Sequence, residues 1–169
     1  GGLVLSPMAS QVSVDYLKTR DFGMRPRLWL SIISQNRATV SFGPPFGYEL
    51  CVQRLREDTA GDYDLSSWRL AGVGAETIRP EPLARFAEML APSRFNPAAF
   101  TACYGMAECS LAVSFSPLDT GIQLDAVQPE PLADDQAAVP ATPGSGAKVK
   151  NFVKCGYPLP GFDMEIRSP

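Results

Sequence analysis

Histidine is absent from all 169 residues. Its loss removes the side chain that titrates nearest neutrality, the commonest general base and metal ligand, so this chain holds no Ser-His or Cys-His hydrolase machinery. Cysteine is sparse. Cys51, Cys103, Cys109 and Cys155 lie far apart in apolar surroundings without Cys-x-x-Cys spacing, which reads as reduced core thiols rather than a zinc site. No apolar run approaches the roughly 18 residues of a membrane span, and no charged-then-apolar leader opens the chain. The expectation is therefore a cytoplasmic protein with no membrane span. Positive charge is also scarce: the net charge is -3 and the pI about 5.0, which leaves no electrostatic footprint for a nucleic-acid partner. From Arg94 to Lys148 no Lys or Arg intervenes, while Glu108, Asp119, Asp125, Glu130, Asp134 and Asp135 all fall there. An initiator Met is missing, the chain opens on GGLVL and it stops at EIRSP partway through an alternating pattern. It reads as a piece of a longer protein.

What is present is 45% hydrophobic and long enough to bury a core. Leu3 to Leu5 reads as a short buried strand. Met24 to Asn36 reads as a helix with Pro26 near its start and Leu28, Trp29, Ile32 and Ile33 on one face. A strand over Ala38 to Phe42 precedes a helix over Phe46 to Glu57, with Tyr48, Cys51, Val52 and Leu55 at helical spacing. Arg69 to Ala75 forms the next strand, and the helix from Pro80 to Leu90 carries Leu83, Phe86, Ala87 and Leu90 on one stripe. Ala99 to Cys103 supplies a fourth strand. Strands alternating with helices through short Gly/Pro loops give an α/β class, a mainly parallel sheet with helices on both faces. Residues 117–148 read as an acidic, Pro/Ala-rich insertion, extended or partly mobile on the surface. From Val149 to Cys155 and Phe162 to Ile166 the pattern is strand-like around a turn, giving residues 149–169 a β-rich end that begins a small β-subdomain.

In such a sheet, ligands gather at the carboxyl ends of the strands. Three loops fall there: Gly43 to Gly47, Gly72 to Glu76 and Tyr104 to Glu108. The first and second glycines of Gly72-Val73-Gly74 either let backbone approach a ligand or let a helix pack closely on the strand; no third Gly completes the dinucleotide fingerprint. In AFTACYGMAECSLAVSF, from Ala99 to Phe115, two apolar runs flank a turn where Tyr104 offers a flat face, Gly105 has access to angles closed to other residues and Glu108 is a carboxylate beside strand ends. The alternative is a strand, a turn and a solvated glutamate.

These pieces in this order resemble the adenylate-forming superfamily, which activates carboxylic acids with ATP, and within it the fatty acyl-AMP ligases, relatives of the acyl-CoA synthetases. GVGAE at Gly72 to Glu76, YGMAE at Tyr104 to Glu108 and GYPLPG at Gly156 to Gly161 carry the resemblance, with GPPFGYELCVQR from Gly43 to Arg54 in support. It implies that residues 1–116 are an α/β subdomain of a larger N-terminal domain. Gly74, Ala75 and Glu76 would line the adenine, with Gly105, Met106 and Ala107 completing the nucleotide loop. Tyr104 would stack on the purine, and Glu108 would hold the Mg²⁺ that bridges ATP phosphates. Met106 and Phe46 to Tyr48 would lie near the acyl tunnel. Where the superfamily often has Thr before the metal-binding Glu, this chain has Ala107. The implied substrates are ATP and a fatty acid, with an acyl carrier protein or CoA as acceptor. The phosphate loop with its Lys, an aromatic-His segment and the C-terminal lysine are not in this sequence, so the chain by itself is expected to be inactive. A long-chain acyl-CoA synthetase, and a non-catalytic α/β module that binds a nucleotide or a partner, are the competing readings.

Overall fold

The computed structural model describes residues 4–134, 137–142, 148–165 and 167. The chain begins with two short helices, α1 (Leu5–Ser10) and α2 (Thr19–Met24), followed by α3 (Arg27–Asn36). It then alternates: β1 (Val40–Gly43), α4 (Pro45–Arg54), β2 (Leu70–Val73), α5 (Pro80–Met89) and β3 (Phe100–Gly105). Pro45 and Pro80 each occupy the first helical position, where proline's fixed φ suits the helix and its missing N–H is not needed. β1 pairs with β2 and β2 with β3, both in parallel, with Phe42 opposite Gly72 and Gly72 opposite Thr101. β4 (Ala112–Phe115) then returns antiparallel to β3, and β7 (Tyr157–Pro158) adds antiparallel to β4. A separate ribbon pairs β5 (Leu124–Val127) with β6 (Lys150–Val153), and α6 (Pro129–Asp134) lies between them in sequence.

The alternation along the strands sorts the side chains. Ala71 and Val73 of β2 and Phe100 and Ala102 of β3 join one core with Trp29, Leu30 and Ile33 of α3, Tyr48 and Cys51 of α4, and Leu83, Phe86 and Ala87 of α5. Six aromatic rings form its centre. Tyr48 meets Trp29 at 5.0 Å, Phe86 at 5.1 Å and Phe100 at 5.5 Å between centroids, and Phe95 meets Trp68 at 5.3 Å. Edge-on contacts of this kind add to the burial of the rings themselves. The polar atoms of these rings find carbonyls: the Tyr48 hydroxyl donates to Gly72 at 2.9 Å and the Trp68 indole N–H to Leu70 at 2.9 Å. Around this core Ser93 donates to the Ala60 carbonyl, and Asp64 accepts from Ser66 and pairs with Arg94, so the connection from α4 to β2, which opens with a 3-10 turn over Glu57–Thr59, is pinned by side chains.

The α/β class and the strand–helix pairs agree with the sequence; several details do not. Where a strand was expected, Leu5 starts α1 and is exposed. Pro7 falls in the first turn, where amides have no helical partner to lose, and Leu3 lies outside the described residues. Helices on both faces were expected, yet α3, α4 and α5 all feed one core, and on the opposite face Val40 and Phe42 stay 45% and 44% exposed. Tyr104 and Gly105 belong to β3 rather than to the turn. The β-rich end reduces to β6 and β7: Phe162 to Glu165 join no strand, Gly161 turns the chain at φ +86, and Phe162 and Met164 are exposed. Ile166 lies outside the described residues. The insertion is more regular than its composition suggests. Besides β5 and α6, Ala141 donates to the Ala126 carbonyl and Gln128 to that of Val139, which lays 139–141 along the ribbon.

Phe86→Ala should lower stability by about 3–5 kcal/mol, the range for emptying a buried aromatic site. Tyr48→Phe keeps the ring and removes its hydroxyl hydrogen bond, so about 1 kcal/mol is expected. Denaturant titration gives both; equal losses would contradict this order.

Candidate functional site

β1, β2 and β3 run in parallel, so their carboxyl ends emerge together, and their loops are stitched in series. Cys103 of β3 donates its thiol to the Val73 carbonyl at 3.2 Å. Gly74 sits so close to β3 that a Cβ there would lie 2.4 Å from the Cys103 carbonyl oxygen and 2.8 Å from its sulfur. Gly72 is covered by the Phe42 ring, 2.1 Å from where a Cβ would be. Both glycines therefore serve close packing, strand against strand and ring rather than helix against strand. Ala75 then takes φ +71, a left-handed conformation uncommon outside glycine. Beyond it the Glu76 carboxylate accepts from the Phe46 amide at 3.0 Å, which joins the second loop to the start of α4.

The third loop is a hairpin turn. Gly105 does not use a positive φ; its glycine is needed because a Cβ would sit 1.8 Å from the Leu111 carbonyl oxygen. The absent side chain lets β4 leave at once. A tight turn over Ala107–Cys109 follows, closed by Cys109 to Met106 and Ser110 to Ala107 backbone bonds, with Ser110 at φ +68.

Of the residues singled out in the sequence, Gly74 is buried, while Ala75, Glu76, Tyr104, Gly105, Met106, Ala107 and Glu108 are exposed at these strand ends. Tyr104 presents 44% of its surface. Glu108 is exposed and makes no hydrogen bond or ion pair among the described residues, so its carboxylate is open to a ligand. No three His, Cys, Asp or Glu among those residues cluster closely enough to hold a metal. A cation held by Glu108 would need oxygens from a bound ligand, which is the manner in which Mg²⁺ is held by one or two carboxylates plus phosphates. Phe46 is exposed, but Tyr48, expected near an acyl tunnel, is fully buried in the aromatic core.

Burial pushes Cys51 up to about 12 and raises Cys103 and Cys155 as well, so none of these three thiols is primed as a nucleophile. Two cavities of about 410 Å³ lie away from the strand ends, one lined by Arg25, Arg27 and Tyr63, the other by Leu83, Ala87 and Ile122. Reading the sequence alone missed Cys103, whose thiol ties β3 to the end of β2, and the link from Glu76 to Phe46. Neither has a local signature, because each joins residues 30 apart.

Comparison with known proteins bears on the same elements. The family of AMP-binding enzymes matches residues 2–169. The chain belongs to that family. It is 43% identical over 98% of its length to a Caulobacter vibrioides protein named as an acyl-CoA synthetase, of which it covers 29%. It is 32% identical, over 98% of its length and 28% of the relative, to the medium-chain-fatty-acid acyl-carrier-protein ligase JamA of Moorena producens. Among solved structures, one of the fatty acyl-adenylate ligases of E. coli and L. pneumophila matches with a TM-score of 0.89 at 48% identity, over 94% of this chain and 29% of that one. The L. pneumophila ligase in complex with acyl adenylate and pyrophosphate matches with a TM-score of 0.86 at 30% identity, over 93% of this chain and 27% of that one. The chain thus spans less than a third of each relative.

Gly105→Ala should cost about 1–3 kcal/mol by forcing the β3–β4 turn open, whereas Gly23→Ala, in α2 with nothing within 4 Å of its Cβ position, should be neutral or stabilising. A thermal melt compares them. Equal melting temperatures would mean the turn has room to spare.

Proposed function

We propose that the full-length parent of this chain activates a fatty acid with ATP to an acyl-adenylate and passes the acyl group to an acyl carrier protein or to CoA, and that this chain carries the adenine side and one metal ligand of the site. The observation that carries the reading is the 48% identity to a fatty acyl-adenylate ligase over nearly the whole chain, together with the loops of Gly72 to Glu76 and Tyr104 to Glu108 meeting at one sheet end.

In this reading Gly74, Ala75 and Glu76 line the adenine, and the exposed Tyr104 ring stacks on it. Gly105, Met106 and Ala107 shape the edge of the nucleotide site. Glu108 would hold Mg²⁺; when bound, that ion offsets charge on the phosphates as pyrophosphate departs. The carboxylate fits this role, since no protein cation competes for it among the described residues and a hard cation prefers carboxylate oxygen. Ala107 offers no hydroxyl to a phosphate, so that contact comes from elsewhere in the parent. The site works in the cytoplasm, where ATP is made available.

Glu108→Gln in the full-length parent keeps size and removes charge, and should slow adenylation roughly 10²-fold, the scale of losing one preorganised electrostatic contact, with folding intact. Pyrophosphate release at saturating Mg²⁺ measures this; a near-normal rate would make Glu108 a surface acid.

The acyl-CoA synthetase reading has its support in the Caulobacter vibrioides relative. The insertion separates the two: as a ligase-type element it restrains the movement of the C-terminal domain that admits CoA. The parent should then accumulate acyl-adenylate with poor acyl-CoA formation. Deleting roughly Gln128 to Gly146, which spares β5 and β6, should raise CoA transfer and leave adenylation unchanged. Equal rates of acyl-CoA and acyl-adenylate formation in the intact parent would favour the synthetase.

A further inference from the structure

Helix α4 begins with two residues that cannot donate: its N-cap is Pro44 and its first helical residue Pro45. The first amide available at this end is that of Phe46. No side chain of the cap position satisfies it; the carboxylate of Glu76, 30 residues away on another loop, does, at 3.0 Å. Three residues further along both segments, Arg79 pairs with Glu49 at 2.8 Å. The segment after β2 is thus laid along the first turns of α4 with matched spacing, and the left-handed Ala75 lies at its root, immediately before Glu76. A negative group at a helix N-terminus also interacts favourably with the positive end of the helix dipole.

We propose that Glu76 is a positioning residue: its carboxylate caps α4 from the neighbouring loop and thereby fixes the Phe46 loop and the Ala75 loop relative to one another at the strand ends. This rests on the adenylate-forming reading only for its kinetic consequence. In that reading the two loops face different parts of the adenylate, Ala75 the adenine and Phe46 the acyl side. Untying them disturbs the binding of both substrates, although Glu76 itself need touch only one.

The test uses the full-length parent, with hydrogen exchange of peptides spanning 44–50 and steady-state kinetics for ATP and fatty acid. Glu76→Ala should speed exchange in those peptides about tenfold, the scale of a lost cap, and raise KM for both substrates severalfold with a smaller change in kcat. Glu76→Gln, whose amide oxygen still accepts from Phe46, should restore slow exchange and most of both KM values. Arg79→Ala, which breaks only the neighbouring ion pair, should leave exchange at 44–50 close to wild type. Unchanged exchange in Glu76→Ala overturns the proposal, as does a rise in the KM for ATP alone that Gln does not rescue. Should the wild-type parent form no acyl-adenylate, the functional reading falls while the exchange measurements still decide the cap.

Discussion

One hydrogen bond inside the aromatic core constrains much of this structure: the Tyr48 hydroxyl on the Gly72 carbonyl. A phenol buried among rings has few places to discharge its polar atom, and leaving it unpaired would cost more than the bond itself contributes. The ring must therefore stand where the hydroxyl reaches β2. That fixes the rotation of α4 against the sheet, and with it the height at which the β1–α4 loop ends. Burial raises the Tyr48 pKa well above its ordinary range, so the bond stays a neutral one across physiological pH. The residue that accepts it lies two positions before Gly74, where the strand ends and the candidate site starts.

From that anchor the site follows by close approach rather than by a deep pocket. Gly74 lies against Cys103, Gly105 against the Leu111 carbonyl, and Phe42 across Gly72. Each contact excludes a side chain; the first two bring backbones together and the third seats a ring on the strand. The change from parallel to antiparallel pairing at β3 matters as well. A parallel strand must leave its sheet through a long crossover, whereas β3 turns straight back through Met106 to Leu111 into β4. The turn that carries Glu108 is consequently short, and its backbone is tied at both ends by the Cys109 to Met106 and Ser110 to Ala107 bonds.

Much of the frame was legible because helical and strand periods are written locally. Leu83, Phe86, Ala87 and Leu90 were expected on one stripe and are all buried. Proline marked the starts of α3 and α5, and the three site loops were expected at one end of the sheet. The losses have physical causes. Leu5 is apolar, yet α1 buries nothing, and composition alone does not say whether an apolar segment meets a core. Gly105 was credited with unusual angles when its purpose is proximity, since sequence does not distinguish a glycine needed for φ from one needed for space. The tie between Glu76 and Phe46 belongs to the tertiary fold and leaves no trace in either segment.

The β5–β6 ribbon bears on how such a chain can change over generations. Val127 opposes Lys150, so both ends of the intervening segment are held at one point by strand pairing, and the strands keep their register whatever is strung between them. Closing a longer loop costs only about 0.6 kcal/mol for each doubling of its length. Length changes between these two residues that spare the bonds of 139–141 to Ala126 and Gln128 are therefore close to neutral for the fold, and the segment can lengthen, shorten or diverge while the sheet that carries Tyr104 is left as it was.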